Sequence, residues 1–292
     1  MLLAVPNFSE GRDPRRIDEI ATAFATGAAL LDTHSDSVHN RSVVTLSAPA
    51  VSLFAALVNG AMACVERIDM SKQDGAHPCI GALDVCPVVW LREEDREIAR
   101  EEALATGEAI AKETGVPVFL YGELATSESH RERAFYRAGG MVELMRRVES
   151  GELRPDFGPA EVHPTAGATL VTARPPLAAF NVELAGADVA AARDIASRLR
   201  EAGGGIEGVR AIGVDLGEGR TQVSTNIHDP ATVSLATVAV RIRHLAAPHG
   251  ARPVGAEIVG LVPERALEGW PDALPITGFD PAKHVIERRV RI

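Results

Sequence analysis

The feature that most constrains the fold is an order of predicted elements that occurs twice along the chain. In the first half, apolar runs of four to seven residues alternate with segments whose apolar residues recur at helical spacing. The strands are predicted at 2–5, 28–31, 42–47 and 85–91, and the helices at 14–26 and 49–66. The first half therefore predicts the order strand, helix, strand, strand, helix, strand.

The second half repeats this order without obvious sequence identity to the first copy. Its strands are predicted at 177–184, 209–215, 221–227 and 253–262, and its helices at 188–200 and 230–245. Between the two copies lie predicted helices at 93–113 and 129–148, a predicted strand at 116–121, and an irregular segment at 151–167 that is rich in proline and glycine. The chain is thus built from two similar layers and a connecting region.

Two such layers predict an α+β fold made of two ferredoxin-like βαββαβ subdomains, packed face to face with a ligand cleft or tunnel between them. The 292 residues suffice for two hydrophobic cores. We place the N-terminal subdomain at 1–176 and the C-terminal subdomain at 177–292. Because one fold can serve many functions, the function must be argued from the site.

The charge of the chain excludes one class of partner. The formal net charge is −10, and nucleic acids reward basic surfaces, so we expect no nucleic-acid binding. The cations are almost all arginine, because Lys72, Lys112 and Lys283 are the only lysines. Any anionic ligand must therefore be held by a local positive pocket, and arginine is suited to carboxylates.

Cysteine usage and hydropathy indicate a cytoplasmic protein that does not span a membrane. Three cysteines without a CxxC pair predict neither a disulfide framework nor a zinc knuckle. The first residues lack the basic region of a signal peptide. Residues 42–65 carry no charge, but they contain proline, asparagine and serine, so we predict a strand followed by a buried helix there.

One loop, at residues 71–87, concentrates residues that carry chemistry. Gly75 and Gly81 bracket His77 and Pro78, so the backbone can turn sharply on either side while the proline stiffens the middle. Charged side chains of both signs surround the imidazole: Lys72, Asp74 and Asp84. A scaffold presents a reacting histidine in this way, although an isolated histidine more often simply ends a turn.

Two further segments have both a functional and an ordinary interpretation. Asp32, His34 and Asp36 share one face if the strand continues to Asp36, and with His39 nearby they could hold a divalent metal. A solvated turn or substrate-binding loop is the favoured interpretation, because such residues also cluster at strand ends. The irregular segment 154–167 could lie along an extended ligand, or it could be an interdomain linker.

Eight separated motifs in one order give the chain a specific resemblance. They are VPNFSEG at 5–11, DMS at 69–71, HPxxGALDVCP at 77–87, VPVFLYGE at 116–123, PDFGP at 155–159, FN at 180–181, QVSTN at 222–226 and GLVP at 260–263. On these residues the chain resembles the glutamate formimidoyltransferase family, from the first strand to about Pro263. No dinucleotide, phosphate-loop, esterase or zincin motif is present.

The resemblance implies an activity and its substrates. It implies transfer of a formimino group from N-formimino-L-glutamate to N5 of tetrahydrofolate, with tetrahydrofolate as co-substrate, no metal, and a folate tunnel between two α/β subdomains. The catalytic histidine of the family corresponds to His77. The folate-contacting segment corresponds to Gly158, Pro159, Ala160, Glu161, Val162, His163, Pro164, Thr165, Ala166 and Gly167. The cyclodeaminase domain of bifunctional members is expected to be absent.

The remaining site residues are assigned by the chemistry that the reaction demands. Arg41 and Lys72 are candidates for binding substrate carboxylates, although an ordinary surface role is open for Arg41. Asp84 could hold the protonated amidine, or it could cap a turn. The neutral donors that we expect are Asn7, Asn181 and Asn226.

Three positions depart from the family pattern, namely His34, Cys79 and Ala166. Two other functions stay open beside formimino transfer. One is a metal-dependent hydrolase of formiminoglutamate or a related amidine, acting through the His34 cluster, and the other is a non-catalytic protein that binds folate or an acidic metabolite. We expect small-molecule partners and a homodimer, in which the tail at 285–292 could be an edge strand or a dimer contact.

Overall fold

A computed structural model describes residues 1–290 and divides the chain into two compact units. The first unit comprises Met1–Pro175, and the second begins at Pro176. Both combine helices with a β-sheet, so the predicted α+β class is confirmed.

The first unit contains seven strands and five α-helices. Its strands are β1 (Leu2–Ala4), β2 (Asn7–Phe8), β3 (Ala29–Asp36), β4 (Arg41–Ala48), β5 (Leu83–Val89), β6 (Val118–Leu120) and β7 (Thr169–Arg174). Its helices are α1 (Pro14–Phe24), α2 (Ala50–Arg67), α3 (Arg96–Thr114), α4 (Arg133–Arg137) and α5 (Gly140–Glu149). Single 3₁₀ turns occur at Met70–Lys72, Glu93–Asp95, Gly122–Leu124 and Glu128–His130.

The sheet of the first unit has an antiparallel part and a parallel part. β1 and β2 both lie between β4 and β5, β3 pairs with the other side of β4, and all of these contacts are antiparallel. β7 and β6 extend the sheet beyond β5 as parallel strands. β7 was not predicted as a strand, because sequence analysis assigned no element to residues 168–176, between the irregular segment and the strand predicted at 177–184.

Local sequence signals account for α1 and α2. Asp13 caps α1 by accepting hydrogen bonds from the backbone N–H groups of the first turn, and Pro14 occupies that turn. The uncharged segment forms β4 and α2, which confirms the predicted strand and helix. α2 is long and apolar enough to cross a membrane by composition, but its inward face, including Leu53 and Leu57, is part of the core.

The connecting region differs most from the prediction. The single helix expected at 129–148 is broken into a 3₁₀ turn, α4 and α5. Gly139, which lies between α4 and α5, and Gly140, the first residue of α5, have φ values of 75° and 69°, which lie in the left-handed region that interrupts a helix. The break matters for function because it sets α4 apart as a short element of its own.

The second unit has four antiparallel strands in the order β11, β8, β10, β9. These are β8 (Ala178–Ala185), β9 (Val209–Gly217), β10 (Arg220–Ile227) and β11 (Arg252–Val259), and the helices are α6 (Val189–Leu199), α7 (Leu235–Ala246), α8 (Pro281–His284) and α9 (Ile286–Arg289). Three further 3₁₀ turns lie at Glu201–Gly203, Ala247–His249 and Glu264–Leu267. α7 begins five residues after Pro230, where it was predicted to begin, because Ser234 provides the cap.

The C-terminal tail combines an isolated bridge with a helical turn. Val285 forms a parallel bridge with Val262, and Ile286–Arg289 form one helical turn, so an edge strand, one of the two possibilities for this tail, does not form at Ile286–Arg289. Residues 291–292 lie outside the described residues. The expected homodimer stays a prediction. The three cysteines carry free thiols, with Cys64 and Cys86 buried and Cys79 half-buried.

A carboxyl group at the edge of the first core makes folding sensitive to pH. Glu102 of α3 is half-buried, and burial raises its pKa from 4.5 to about 7. Its Oε1 atom is buried and has no hydrogen-bond partner within residues 1–290. Because the folded state holds the proton more tightly than the unfolded chain, Glu102 costs stability as the pH rises from about 4.5 through about 7.

We expect Glu102→Gln to increase the stability of the protein more at pH 8 than at pH 5, because the amide never ionises. Thermal unfolding followed by circular dichroism at the two pH values measures this effect. Glu101→Gln, at the exposed neighbouring position, serves as the control and should shift Tm equally at both pH values. An equal Tm shift at pH 5 and pH 8 for Glu102→Gln would contradict the assignment.

Candidate functional site

Three loops of the first unit meet beside His77. The turn between β3 and β4 bonds to the His77 loop, because Ala76 N donates to the carbonyl oxygen of Val38 at 3.0 Å. Asn40, in this turn, bonds to two other segments, the one at Gly11 and the one at Gln73. Its Oδ1 accepts from Gly11 N at 3.0 Å, and its backbone oxygen accepts from Gln73 Nε2 at 2.8 Å. The imidazole is therefore carried by a loop whose backbone is fixed on two sides.

Glycines permit the close backbone packing at both ends of the loop. A Cβ atom on Gly75 would lie 2.1 Å from the carbonyl oxygen of His39, and one on Gly81 would lie 1.9 Å from that of Ala168. Neither glycine has a left-handed φ. Both positions require the absence of a side chain. Close backbone packing is therefore a second reason for glycine here, beside the freedom to turn that sequence analysis expected.

The segment Gly158–Gly167 ends in a turn that is bonded to the same loop. His163 and Gly167 exchange backbone hydrogen bonds of 3.1 and 2.9 Å, and His163 Nδ1 accepts from Ala166 N at 3.0 Å. Ala82 N donates to the Ala166 oxygen at 2.8 Å, which joins the turn to the start of β5. Side chains in the segment divide between the core, with Val162 and Ala166, and solvent, with Pro159, Ala160, Glu161, Pro164 and Thr165.

His77 contacts an arginine and a backbone carbonyl. Nη1 of Arg41 lies 2.8 Å from both ring nitrogens, and Nδ1 lies 2.8 Å from the oxygen of Pro78. A guanidinium can only donate, so Arg41 needs a lone pair on the ring. A neutral imidazole fits both partners when its Nδ1–H donates to Pro78 and its Nε2 accepts from Arg41. Arg41 in turn donates to Oδ1 of Asn7 through Nη2.

The electrostatics of the site keep this imidazole neutral. Burial lowers the pKa of His77 well below its ordinary value of 6.5, and the positive charges of Arg41, Arg137 and Arg133 lower this pKa further, together with His39. Burial also lowers the pKa of Arg41 to about 10. At neutral pH the site thus holds an unprotonated histidine beside a charged arginine.

Asp84 is occupied by two partners. The side chain is 1% exposed; Oδ1 accepts from Ile80 N at 2.9 Å, and Oδ2 forms an ion pair with Nη2 of Arg137. The backbone bond is the cap that sequence analysis left open as an alternative. Through the ion pair, Asp84 holds α4 against the start of β5.

The other candidate residues lie apart from His77 or in the second unit. Lys72 has an 81% exposed side chain, and its Nζ pairs with Asp69 at 3.0 Å. Asn181 and Asn226 lie on β8 and β10 of the second unit, where Asn181 Nδ2 donates to Glu257 at 3.2 Å. The structure therefore brings together Asn7, Arg41 and His77 directly.

Two functional candidates were missed by sequence analysis. Arg133 and Arg137 are four residues apart on α4, so they share one face of that helix. The sequence offered a signal in the arginine-rich character of this region. That signal was interpreted only as part of one continuous helix at 129–148, because the break at Gly139 was not anticipated.

The possible metal cluster does not assemble within residues 1–290. Asp32, His34 and Asp36 face the same side of β3, as predicted from the period of a strand. However, the described residues contain no group of three or more histidine, cysteine or acidic side chains arranged to hold a metal ion. Asp36 instead stabilises the β3–β4 turn, because Oδ1 accepts from the backbone N–H groups of Val38 and His39.

Comparison with known families covers most of the chain. A profile described as the N-terminal subdomain of the formiminotransferase domain matches residues 1–174. A second profile, described as the formiminotransferase domain, matches residues 179–269.

Named relatives agree with these profiles. The chain is 37% identical to a glutamate formimidoyltransferase of Streptococcus pyogenes, over 98% of this chain and 97% of the relative. It is 35% identical to a glutamate formimidoyltransferase of Thermoplasma acidophilum, over 98% and 96%. It is 40% identical to the formimidoyltransferase-cyclodeaminase of Sus scrofa over 90% of this chain, and it spans 50% of the length of that relative.

The packing at Gly81 predicts a large effect from one methyl group. Gly81→Ala places a Cβ against the backbone oxygen of Ala168, so we expect a loss of about 2 kcal/mol or more in the free energy of unfolding. Gly255→Ala is the matched control, because a Cβ there meets nothing within 4 Å, and it should change stability by less than about 0.5 kcal/mol. Urea unfolding followed by the fluorescence of Trp90 and Trp270, one in each unit, measures both. Equal stability of the two variants would contradict the packing argument.

Proposed function

The chain belongs to the formiminotransferase family, and from this premise we propose that it transfers the formimino group of N-formimino-L-glutamate to N5 of tetrahydrofolate, with His77 as acid and base. The chain is an enzyme, a one-carbon transferase. The observation that carries the assignment to His77 is the position of its imidazole between Arg41 and the carbonyl of Pro78, an arrangement that a neutral ring satisfies.

The chemistry of the transfer explains why a neutral histidine is useful. N5 attacks the amidine carbon with its electron pair, a tetrahedral centre forms, and N5 becomes acidic. His77 accepts the N5 proton at Nε2 and gives a proton to the glutamate nitrogen, so that the old C–N bond breaks with its electrons on glutamate and the amine leaves neutral. Proton transfer by one positioned group typically contributes ~10²–10⁴-fold to the rate.

Arg41 links donor binding to the availability of the base. In the structure its guanidinium approaches the ring nitrogens of His77. A carboxylate is a stronger acceptor for a guanidinium than a neutral imidazole is. We propose that the α-carboxylate of the donor draws Arg41 away from Nε2, which frees the lone pair that takes the N5 proton.

The topology of each unit supports the ferredoxin-like interpretation of the two subdomains. In each unit a βαββαβ segment has its first strand between the third and fourth, and two helices cover one face. In the second unit the opposite face is polar and includes Asn181, Gln222 and Asn226. We propose that this face supplies neutral donors, and that Gly158–Gly167 lies along the folate.

Asp84 and Lys72 take smaller parts in this proposal. Both oxygens of Asp84 are engaged by Ile80 and Arg137, which supports a positioning role in place of direct contact with the amidine. Lys72 lies exposed beside Asp69, so a role in carboxylate binding requires it to leave that ion pair.

A tetrahydrofolate-dependent transfer assay with N-formimino-L-glutamate tests the function. The wild type should release glutamate only when tetrahydrofolate is present, and His77→Ala should lower kcat about 10²–10⁴-fold while the fold is retained. His249→Ala, in the second unit, is the control and should keep wild-type turnover. Release of glutamate without tetrahydrofolate would favour a hydrolase, and full activity of His77→Ala would reject the catalytic assignment.

The pH profile gives a separate test of the electrostatics. The acid limb of kcat/KM reports protonation of His77 in the free enzyme, so it should lie below pH 6.5. Arg41→Gln removes one positive charge, so the pKa of His77 should rise and the limb should move to higher pH. The exposed Lys112→Gln should leave the limb in place. A limb that does not move in Arg41→Gln would contradict the charge argument.

A further inference from the structure

Positive charge exceeds negative charge in the half-buried cluster around α4. Four arginines lie there: Arg41, Arg133, Arg137 and Arg174. The positive charges of Arg133 and Arg137 lower the pKa values of their neighbours in this group. The carboxylates with the clearest effect on them are the buried Asp84, which pairs with Arg137, and the exposed Glu132. Arginines therefore outnumber these carboxylates here, although the whole chain has a net charge of −10.

Hydrogen-bonding capacity is also left over in this cluster. The Nε atoms of Arg41 and Arg137 are buried and have no hydrogen-bond partner in the described part of the chain. Arg137 uses Nη2 for Asp84, and its side chain is 11% exposed. The guanidinium of Arg133 lies over the ring of Tyr121, with Cζ 5.9 Å from the ring centroid. Unmatched buried cations are costly, so a cluster of this kind is suited to an anion that completes it.

Position relative to His77 divides the cluster into two parts. Arg41 touches the imidazole, whereas Arg133 and Arg137 influence it by charge from α4 without a hydrogen bond to it. In N-formimino-L-glutamate the α-carboxylate is attached to the carbon that bears the reacting nitrogen. The side-chain carboxylate is two methylene groups farther away. Arg41 is therefore matched to the first carboxylate, and the α4 arginines are matched to the second.

We propose that Arg133 and Arg137 form a binding site for the side-chain carboxylate of a glutamyl group, and that this group belongs to the donor. The proposal rests on the proposed function for the identity of the donor. Their spacing of four residues on one helix face lets two guanidinium forks approach one carboxylate. The pair thereby determines specificity for glutamate over its uncharged amide.

Calorimetric titration without tetrahydrofolate tests this site independently of turnover. The wild type should bind N-formimino-L-glutamate about 10- to 100-fold more tightly than N-formimino-L-glutamine, whose side chain is neutral. Arg133→Gln should remove most of this preference by weakening the first ligand alone. Arg131→Gln is the matched control, because Arg131 is exposed in the same segment and pairs with Glu128 at 3.5 Å, and it should keep the preference.

Two further variants test the site if Arg133→Gln folds poorly. Arg133→Lys keeps the positive charge and should therefore retain part of the preference for the charged ligand. Arg137→Gln combined with Asp84→Asn removes both partners of the buried pair and should also remove the preference. Equal weakening of both donor ligands, or no preference in the wild type, would overturn the proposal.

Titration with tetrahydrofolate separates the two sources of a glutamyl carboxylate. Arg133→Gln should leave tetrahydrofolate affinity unchanged, and a loss confined to tetrahydrofolate would assign the site to the folate tail and overturn the donor assignment. Donor binding with the expected preference but no transfer would support the site and reject the proposed function.

Discussion

The candidate site depends on backbone segments that approach each other more closely than side chains allow. Gly75 lies against His39, Gly81 against Ala168, and Gly167 against Ile80, and in each case a Cβ would fall within about 2.1 Å of a carbonyl oxygen. These contacts join the His77 loop to the β3–β4 turn at one end and to the 163–167 turn at the other. Since the contacts involve main-chain atoms, the position of the imidazole is set by the fold and not by the packing of flexible side chains.

A second constraint is the local excess of positive charge. Arginines near His77 lower its pKa, which favours the neutral base, but the same charges are costly to bury. The fold supplies one buried carboxylate, Asp84, which neutralises Arg137 and leaves the others without an ion pair among residues 1–290. Stability would be served by more carboxylates at this place, so their scarcity is consistent with an anionic ligand.

Sequence reasoning was strongest where a local signal has a local cause. The cap at Asp13, the helix α2 within an uncharged segment and the hairpin of β9 and β10 follow from spacing and turn residues alone. It failed at 129–148 because Gly139 and Gly140 adopt left-handed φ values that composition does not reveal. It also missed β7, which pairs with β5 and β6 through contacts distant in sequence.

Part of the site was predictable, because that part lies within one local stretch of sequence. His77 and its glycines form one continuous motif, so the sequence pointed to them. By contrast, α4 is joined to the start of β5 by the ion pair of Arg137 with Asp84, which lies 53 residues earlier in the sequence. Lys72 is the converse case, since it is near His77 in sequence and yet its side chain is 81% exposed and bonded to Asp69. Proximity along the chain therefore singled out Lys72 and gave no indication of α4.

Arg41 connects these constraints, because the guanidinium that contacts the base is also the one that we propose binds the substrate. Its contact with the ring requires an unprotonated nitrogen, so without a ligand it favours the neutral form of His77 and also covers the lone pair. Asn7 accepts from its other terminal nitrogen and keeps the guanidinium close to the ring when the first contact is lost. In the proposed reaction, a bound carboxylate converts Arg41 from a partner of the imidazole into a partner of the donor. The base then becomes available only when the donor is in place, so the N5 proton is accepted only when the amidine carbon that N5 attacks is bound.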